Sequence, residues 1–206
     1  MDLILQPNHA ELNAATLKSL LHQPVSQSLI SYLVQSACSI GSLPSSFELD
    51  EDDDIILLLE NFIRTLTIYS GSKASDLVKA LMYLLKLKTR IRPKAEKQAY
   101  INHCFILASI LLASKYLNDI SLRNKDWAKC GIIDHHRCFS LAQVSRLERQ
   151  ILYILNWNLR ITENDLLKEL KPFLYPIRER LYQQYVQNFW ANINNWLGGN
   201  LILTLG

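Results

Sequence analysis

Apolar residues recur at three- and four-residue intervals along almost the whole chain, the spacing that lines one face of a helix. Alternating apolar and polar runs bounded by turn pairs are missing, so no sheet is expected. Helices are predicted at Ala10–His22, stopped by Pro24, and at Ser26–Ser39, stopped near Gly41. The next two span Ile55–Tyr69, closed by Gly71, and Ser75–Arg90, broken by Arg92-Pro93. A central helix, Lys94–Leu117, contains the run Cys104–Ala113, which is apolar all round and so calls for enclosure by other helices. A short helix covers Asn124–Lys129. Ser140 followed by Gln143 reads as a capping box for Leu141–Asn156, and Thr162 starts Glu163–Leu170. Pro172 and Pro176 are read as interruptions, and a last helix, Ile177–Leu197, should stop at Gly198-Gly199.

The fold class is therefore all-α. Five helices between Ile55 and Asn156 form its centre, with extra helices on either side. Gly, Pro and Ser in Gly41–Ser46 suggest a linker. The expected organisation is an N-terminal helical extension (1–46), a central domain (47–160) and C-terminal helices packed on it (161–206).

Two charges break the apolar faces. Lys115 points the same way as Ile101, Cys104, Ala108, Leu111 and Leu112. Glu148 falls about 20° from Leu155 on the wheel of its helix, between that residue and Leu152. A lone charge there would be costly, so each needs a partner or an opening to solvent or to another protein. Residues of opposite sign on the inner faces of two long helices suggest each other as partners. At the end of an apolar groove, such a pair also suits gripping something polar.

Composition narrows the classes. The chain has 206 residues, 49% of them hydrophobic, enough for a substantial core. A net charge of +3 does not by itself imply nucleic acid. Cys38, Cys104, Cys130 and Cys138 have no framework spacing, which favours a reducing compartment, nucleus or cytoplasm. The first residues lack the basic and long apolar segments of a signal peptide. Cys104–Ala113 is too short for the ~20 residues a bilayer requires. A soluble protein, with no membrane role, is expected.

The text Ala108–Ile132 and Leu141–Thr162 resembles a cyclin box. Cyclins end their third box helix on Ala-Ser-Lys-aromatic, here Ala113-Ser114-Lys115-Tyr116. Their fifth carries a Glu and then a Leu ladder, here Glu148, Leu152, Leu155, Trp157 and Leu159. The wording around Lys115 and Glu148 is most similar to fungal Pcl-type cyclins, which serve the phosphate-signalling cyclin-dependent kinase of yeasts. The resemblance covers roughly residues 50–170. It implies a regulatory subunit, not an enzyme, that binds and activates such a kinase and helps direct its choice of protein substrates. It also implies that Lys115 and Glu148 hydrogen-bond main-chain groups of the kinase small lobe. Tyr116, Leu152 and Leu159 would receive its aliphatic side chains. Phe62-Ile-Arg-Thr-Leu66 matches the substrate-docking patch of many cell-cycle cyclins poorly, and a second full box is not expected after Leu159.

Other features carry plainer readings. Lys115 and Glu148 could form a purely internal ion pair, and Tyr116, Leu152 and Leu159 could be ordinary core. Trp127 and Trp157 read as core anchors. Lys79, Lys86, Lys88, Arg90, Arg92, Lys94 and Lys97 form a basic cluster. It reads as a solvated helix end, with Lys86, Lys88, Arg90 and Arg92 as the candidates for docking acidic or phosphorylated substrate segments. Few aromatics interleave these charges, against a nucleic-acid role such as a cyclin-fold transcription factor would have. Cys130, His135, His136 and Cys138 lack the spacing of metal ligands, and nothing in the sequence marks an activated thiol or an oxyanion hole, so no metal or cofactor is expected. The acids Glu48–Asp54 read as a solvated helix entry.

Overall fold

The computed structural model describes residues 8–40, 49–91, 99–132 and 138–203, with side chains from 8–40, 55–91, 101–132 and 138–194. Among the described residues every regular element is a helix: α1 (His9–His22), α2 (Gln27–Ile40), α3 (Leu49–Ser70), α4 (Ala74–Arg90), α5 (Ala99–Leu117), α6 (Asn124–Cys130), α7 (Leu141–Ile154), α8 (Glu163–Glu169) and α9 (Lys171–Leu203). The expected linker Gly41–Ser46 lies outside the described residues, as do Arg92, Lys94, Lys97, His135 and His136.

The chain forms two compact units. One, His22–Thr162, holds α2 to α7; the other holds α1, α8 and α9. These divisions fall elsewhere than at residues 46 and 160. α2 packs on α3, α4 and α5, so it belongs to the larger core rather than to a separate extension. Its face of Leu29, Ile30, Leu33, Val34 and Ala37 is buried.

α5 is the axis of the larger unit and packs against α2, α3, α4 and α7. Ile106 to Ala113 are buried without a break, which is what an all-round apolar helix requires. Local chemistry sets the ends of its neighbours. Gly71 takes φ +67° after α3, and the Ser72 N–H bonds the Thr67 carbonyl, the paired bond of a Schellman stop. Asp76 accepts from the Lys73 N–H at 2.8 Å at the start of α4. The predicted box at α7 is formed: the Ser140 hydroxyl accepts from the Gln143 N–H at 3.2 Å, and Gln143 Oε1 from the Ser140 N–H at 2.8 Å. Trp127 of α6 is fully buried, the core anchor expected of it.

The C-terminal helix corrects two expectations. α9 begins at Lys171 and runs through both prolines and through Gly198-Gly199 to Leu203. Pro172 lies in the first turn, where an N–H has no intrahelical partner to lose. Pro176 removes one bond in the second turn, and the helix continues. Glycine lowers helix propensity by about 1 kcal/mol without barring the conformation. In the same unit Leu17, Leu20, Leu170, Leu174 and Ile177 are buried, and Arg178 of α9 donates to the ring of His9.

Candidate functional site

The carboxyl end of α5, the start of α6 and the middle of α7 bring three polar side chains together. Lys115 Nζ donates to Glu148 Oε1 at 2.7 Å and to Asn124 Oδ1 at 2.6 Å. Asn124 Nδ2 donates to Glu148 Oε2 at 2.7 Å and to Ser145 Oγ at 3.1 Å. The three bonds close a ring, so each side chain is held by the other two. Lys115 and Glu148 keep 29% and 17% of their side-chain exposure, so the ring is set into the surface without being sealed beneath it. An ammonium has three donors and a carboxylate about four lone-pair sites. After the ring is closed, Lys115 retains a donor and Glu148 retains acceptor capacity. Those are the two halves needed to bond a main-chain carbonyl and a main-chain N–H of another polypeptide.

Tyr116 follows directly and is half exposed. The Lys79 ammonium of α4 lies over its ring, 3.6 Å from the centroid, and 6.0 Å from the ring of Tyr83. Burial, reinforced by the nearby Lys86 charge, lowers the Lys79 pKa to about 8. Tyr83 is buried, and its hydroxyl donates to the Leu159 carbonyl at 3.3 Å. Burial and then Tyr116 push the Tyr83 phenol above the ordinary tyrosine range. Leu159 is half buried and retains surface. Leu152 does not: at 8% exposure it is part of the core.

The end of α7 explains much of the basic cluster. The last four carbonyls of a helix lack intrahelical partners and carry the negative end of its dipole. Here the Leu155 N–H takes Ile151, Trp157 takes Leu152, Asn156 takes Tyr153, and Arg90 Nη1 takes Ile154 at 2.8 Å. Lys86 Nζ donates to the carbonyls of Arg160 at 2.6 Å and Asn158 at 3.3 Å. Lys86 and Arg90 thus hold main chain inside the fold, and this engagement runs against reading them as free docking groups. Lys88 is exposed, and Arg92 lies outside the described residues. Trp157 corrects the sequence reading. Asn156 and Trp157 take φ of +52° and +57°, so the chain leaves the helix and turns Trp157 outward, 70% exposed.

Phe62, Ile63 and Leu66 face the core, while Arg64 donates to Gln27. That segment presents no apolar docking patch. Cys130 is buried and Cys138 exposed, and among the described residues no group of His, Cys, Asp or Glu is arranged for a metal. No described helix is long and apolar enough to cross a membrane.

The protein-family model for cyclins matches residues 10–159. The chain belongs to the cyclin family. The match takes in α2, consistent with that helix packing in the larger core, and ends on Leu159. This cyclin is 33% identical over 169 residues to PHO85 cyclin-9 of Saccharomyces cerevisiae, covering 79% of this chain and 52% of that protein. It is 31% identical over 167 residues to PHO85 cyclin-1 of the same yeast, covering 79% and 58%. PHO85 cyclin-2 is 30% identical over 162 residues, covering 77% and 51%. The cyclin thus spans about half the length of these curated relatives.

Asn124 and Tyr83 are not among the candidates of the sequence, and Lys79 enters there only as a member of the basic cluster. Asn124 is visible in the sequence only as a helix start, because its role depends on α6 lying between α5 and α7.

Proposed function

We propose that this chain is the regulatory subunit of a cyclin-dependent protein kinase of the kind named in its relatives, PHO85. It docks on the kinase small lobe through Lys115, Tyr116, Glu148 and Leu159. The observation that carries this reading is the Lys115–Asn124–Glu148 ring, preassembled and part-exposed beside Tyr116. Holding these groups before the partner arrives reduces the ordering cost of association. The subunit does no chemistry. It binds the active kinase arrangement better than the inactive one, and only that difference in affinity can shift the population. Moving a kinase from 1:99 to 99:1 in favour of the active form takes about 5.5 kcal/mol of differential binding. The bound subunit also helps direct the kinase to its protein substrates. The buried thiols Cys38, Cys104 and Cys130, none of them in a disulfide, support action in the nucleus and cytoplasm.

Affinity purification with purified PHO85 tests the reading. The unaltered chain should retain the kinase and raise its activity. Glu148→Lys sets two ammonium groups against each other and should abolish retention, with the helical circular-dichroism signal preserved. Retention of PHO85 by a folded Glu148→Lys variant would contradict the assignment of the interface.

A further inference from the structure

Among the described residues, Lys79 is an ammonium beside the site that no acceptor within the fold engages. It projects from α4, one turn after Asp76, whose Oδ1 accepts from Asn118 just beyond α5. Its ammonium is partly withdrawn from water and stacked at 3.6 Å on Tyr116, the neighbour in sequence of Lys115. Ring faces are the counter-charge it is given: no hydrogen bond or ion pair from Lys79 to an acceptor is found among the described residues. Lys86, two helical turns further on, meets a different fate, with both of its carbonyl acceptors in the segment after α7. The Tyr83 hydroxyl beside Lys79 is likewise committed, to Leu159. A lysine needed only to cover Tyr116 would cover it as well with a methionine stem and with no desolvated charge. Retaining the charge is sensible if a negative group arrives to meet it.

We infer that Lys79 is a specificity contact of the kinase-facing surface and pairs with a carboxylate side chain of the kinase, next to the main-chain contacts of Lys115 and Glu148. The inference rests on the kinase-docking reading above and adds a charge requirement to it. Tyr116 fixes the ammonium from one side, and a carboxylate can approach from the open side. The resulting pair is charge-assisted and shielded by the ring. A kinase with a neutral or basic residue at the facing position is rejected, because its docking would bury Lys79 unpaired.

The dissociation constant for purified PHO85, measured by calorimetry at low and high salt, tests this with Lys79→Met, Lys79→Arg and Lys79→Glu. Lys79→Met keeps the stem on Tyr116 and removes the charge; it should weaken binding about tenfold and flatten the salt dependence. Lys79→Arg keeps the charge and can still stack on Tyr116, so it should bind more tightly than Lys79→Met and keep the salt dependence. Lys79→Glu should bind more weakly than Lys79→Met and be rescued by an acidic-to-lysine substitution on the kinase small lobe. Wild-type affinity and salt slope in Lys79→Met would overturn the inference. So would failure of every such kinase variant to rescue Lys79→Glu. Glu148→Lys, measured alongside, separates the two levels. If it binds normally, the docking face itself is wrong; if it fails while Lys79→Met binds normally, only the role of Lys79 falls.

Discussion

Neutralising Lys115 and Glu148 singly and together measures what the ring contributes to the fold. Lys115→Met keeps an unbranched stem, and Glu148→Gln keeps the shape of the acid. At a separation of 2.7 Å, bare attraction at an effective dielectric of ~20 is about 6 kcal/mol. Desolvation returns most of it. Exposed pairs measure ~0.2–1 kcal/mol, whereas breaking a fully buried pair costs ~3–5 kcal/mol. Exposures of 29% and 17% put this pair between those limits. Asn124 bonds both partners and so lowers the entropy cost of holding them. The expected coupling is about 1–2 kcal/mol. Urea unfolding of the four proteins, followed by circular dichroism, gives it directly: the double variant should lose less stability than the two singles added together. High salt should reduce the coupling only in part, because no screening ions fit between groups in contact. A coupling below about 0.3 kcal/mol, the level found for independent sites, would show that the ring does not hold in solution.

Three further outcomes are expected. Tyr83→Phe removes the donor to the Leu159 carbonyl and should cost about 1 kcal/mol in urea unfolding, with a matching loss of kinase affinity if Leu159 shifts. Gly131→Ala places a Cβ 2.8 Å from Cδ2 of the buried Phe139 and 3.3 Å from the Trp127 carbonyl, so thermal unfolding should show a loss of about 1–3 kcal/mol. Lys79 should titrate by carbon-detected NMR with a midpoint of about 8; a midpoint in the ordinary lysine range would refute the burial argument. The sign follows from linkage: the folded state releases this proton earlier than the unfolded chain. The penalty from Lys79 is therefore full below pH 8 and fades as pH rises toward the ordinary lysine value.

What the sequence revealed was chemistry acting over short distances. The Ser140–Gln143 box, the stop at Gly71 and the enclosure of α5 each depend on residues within a turn or two, and all are present in the structure. Lys115 and Glu148 stood out because each is a charge on an apolar stripe, and the fold sets them 2.7 Å apart. The departures all needed information from elsewhere in the chain. Periodicity showed that α2 is a helix but could not show which core it joins. Lys86 and Arg90 looked like solvent-facing cations because the carbonyls they meet lie more than sixty residues later. Trp157 reads as a core anchor because it is a large aromatic, but left-handed backbone at Asn156 and Trp157 turns it outward. The prolines near α9 were weighed as vetoes when they are graded costs.

The bonds from Tyr83 and Lys86 to the segment after α7, and from Arg90 to the last residue of that helix, make α4 the stem of the proposed docking face. The same rod props Tyr116 through Lys79 and carries Leu159 through Tyr83, so both flanks of the ring take their height from it. A change deep in α4, remote from any partner, would tilt the two flanks in concert. Loss of kinase affinity from such a position would then report a misplaced platform rather than a lost contact.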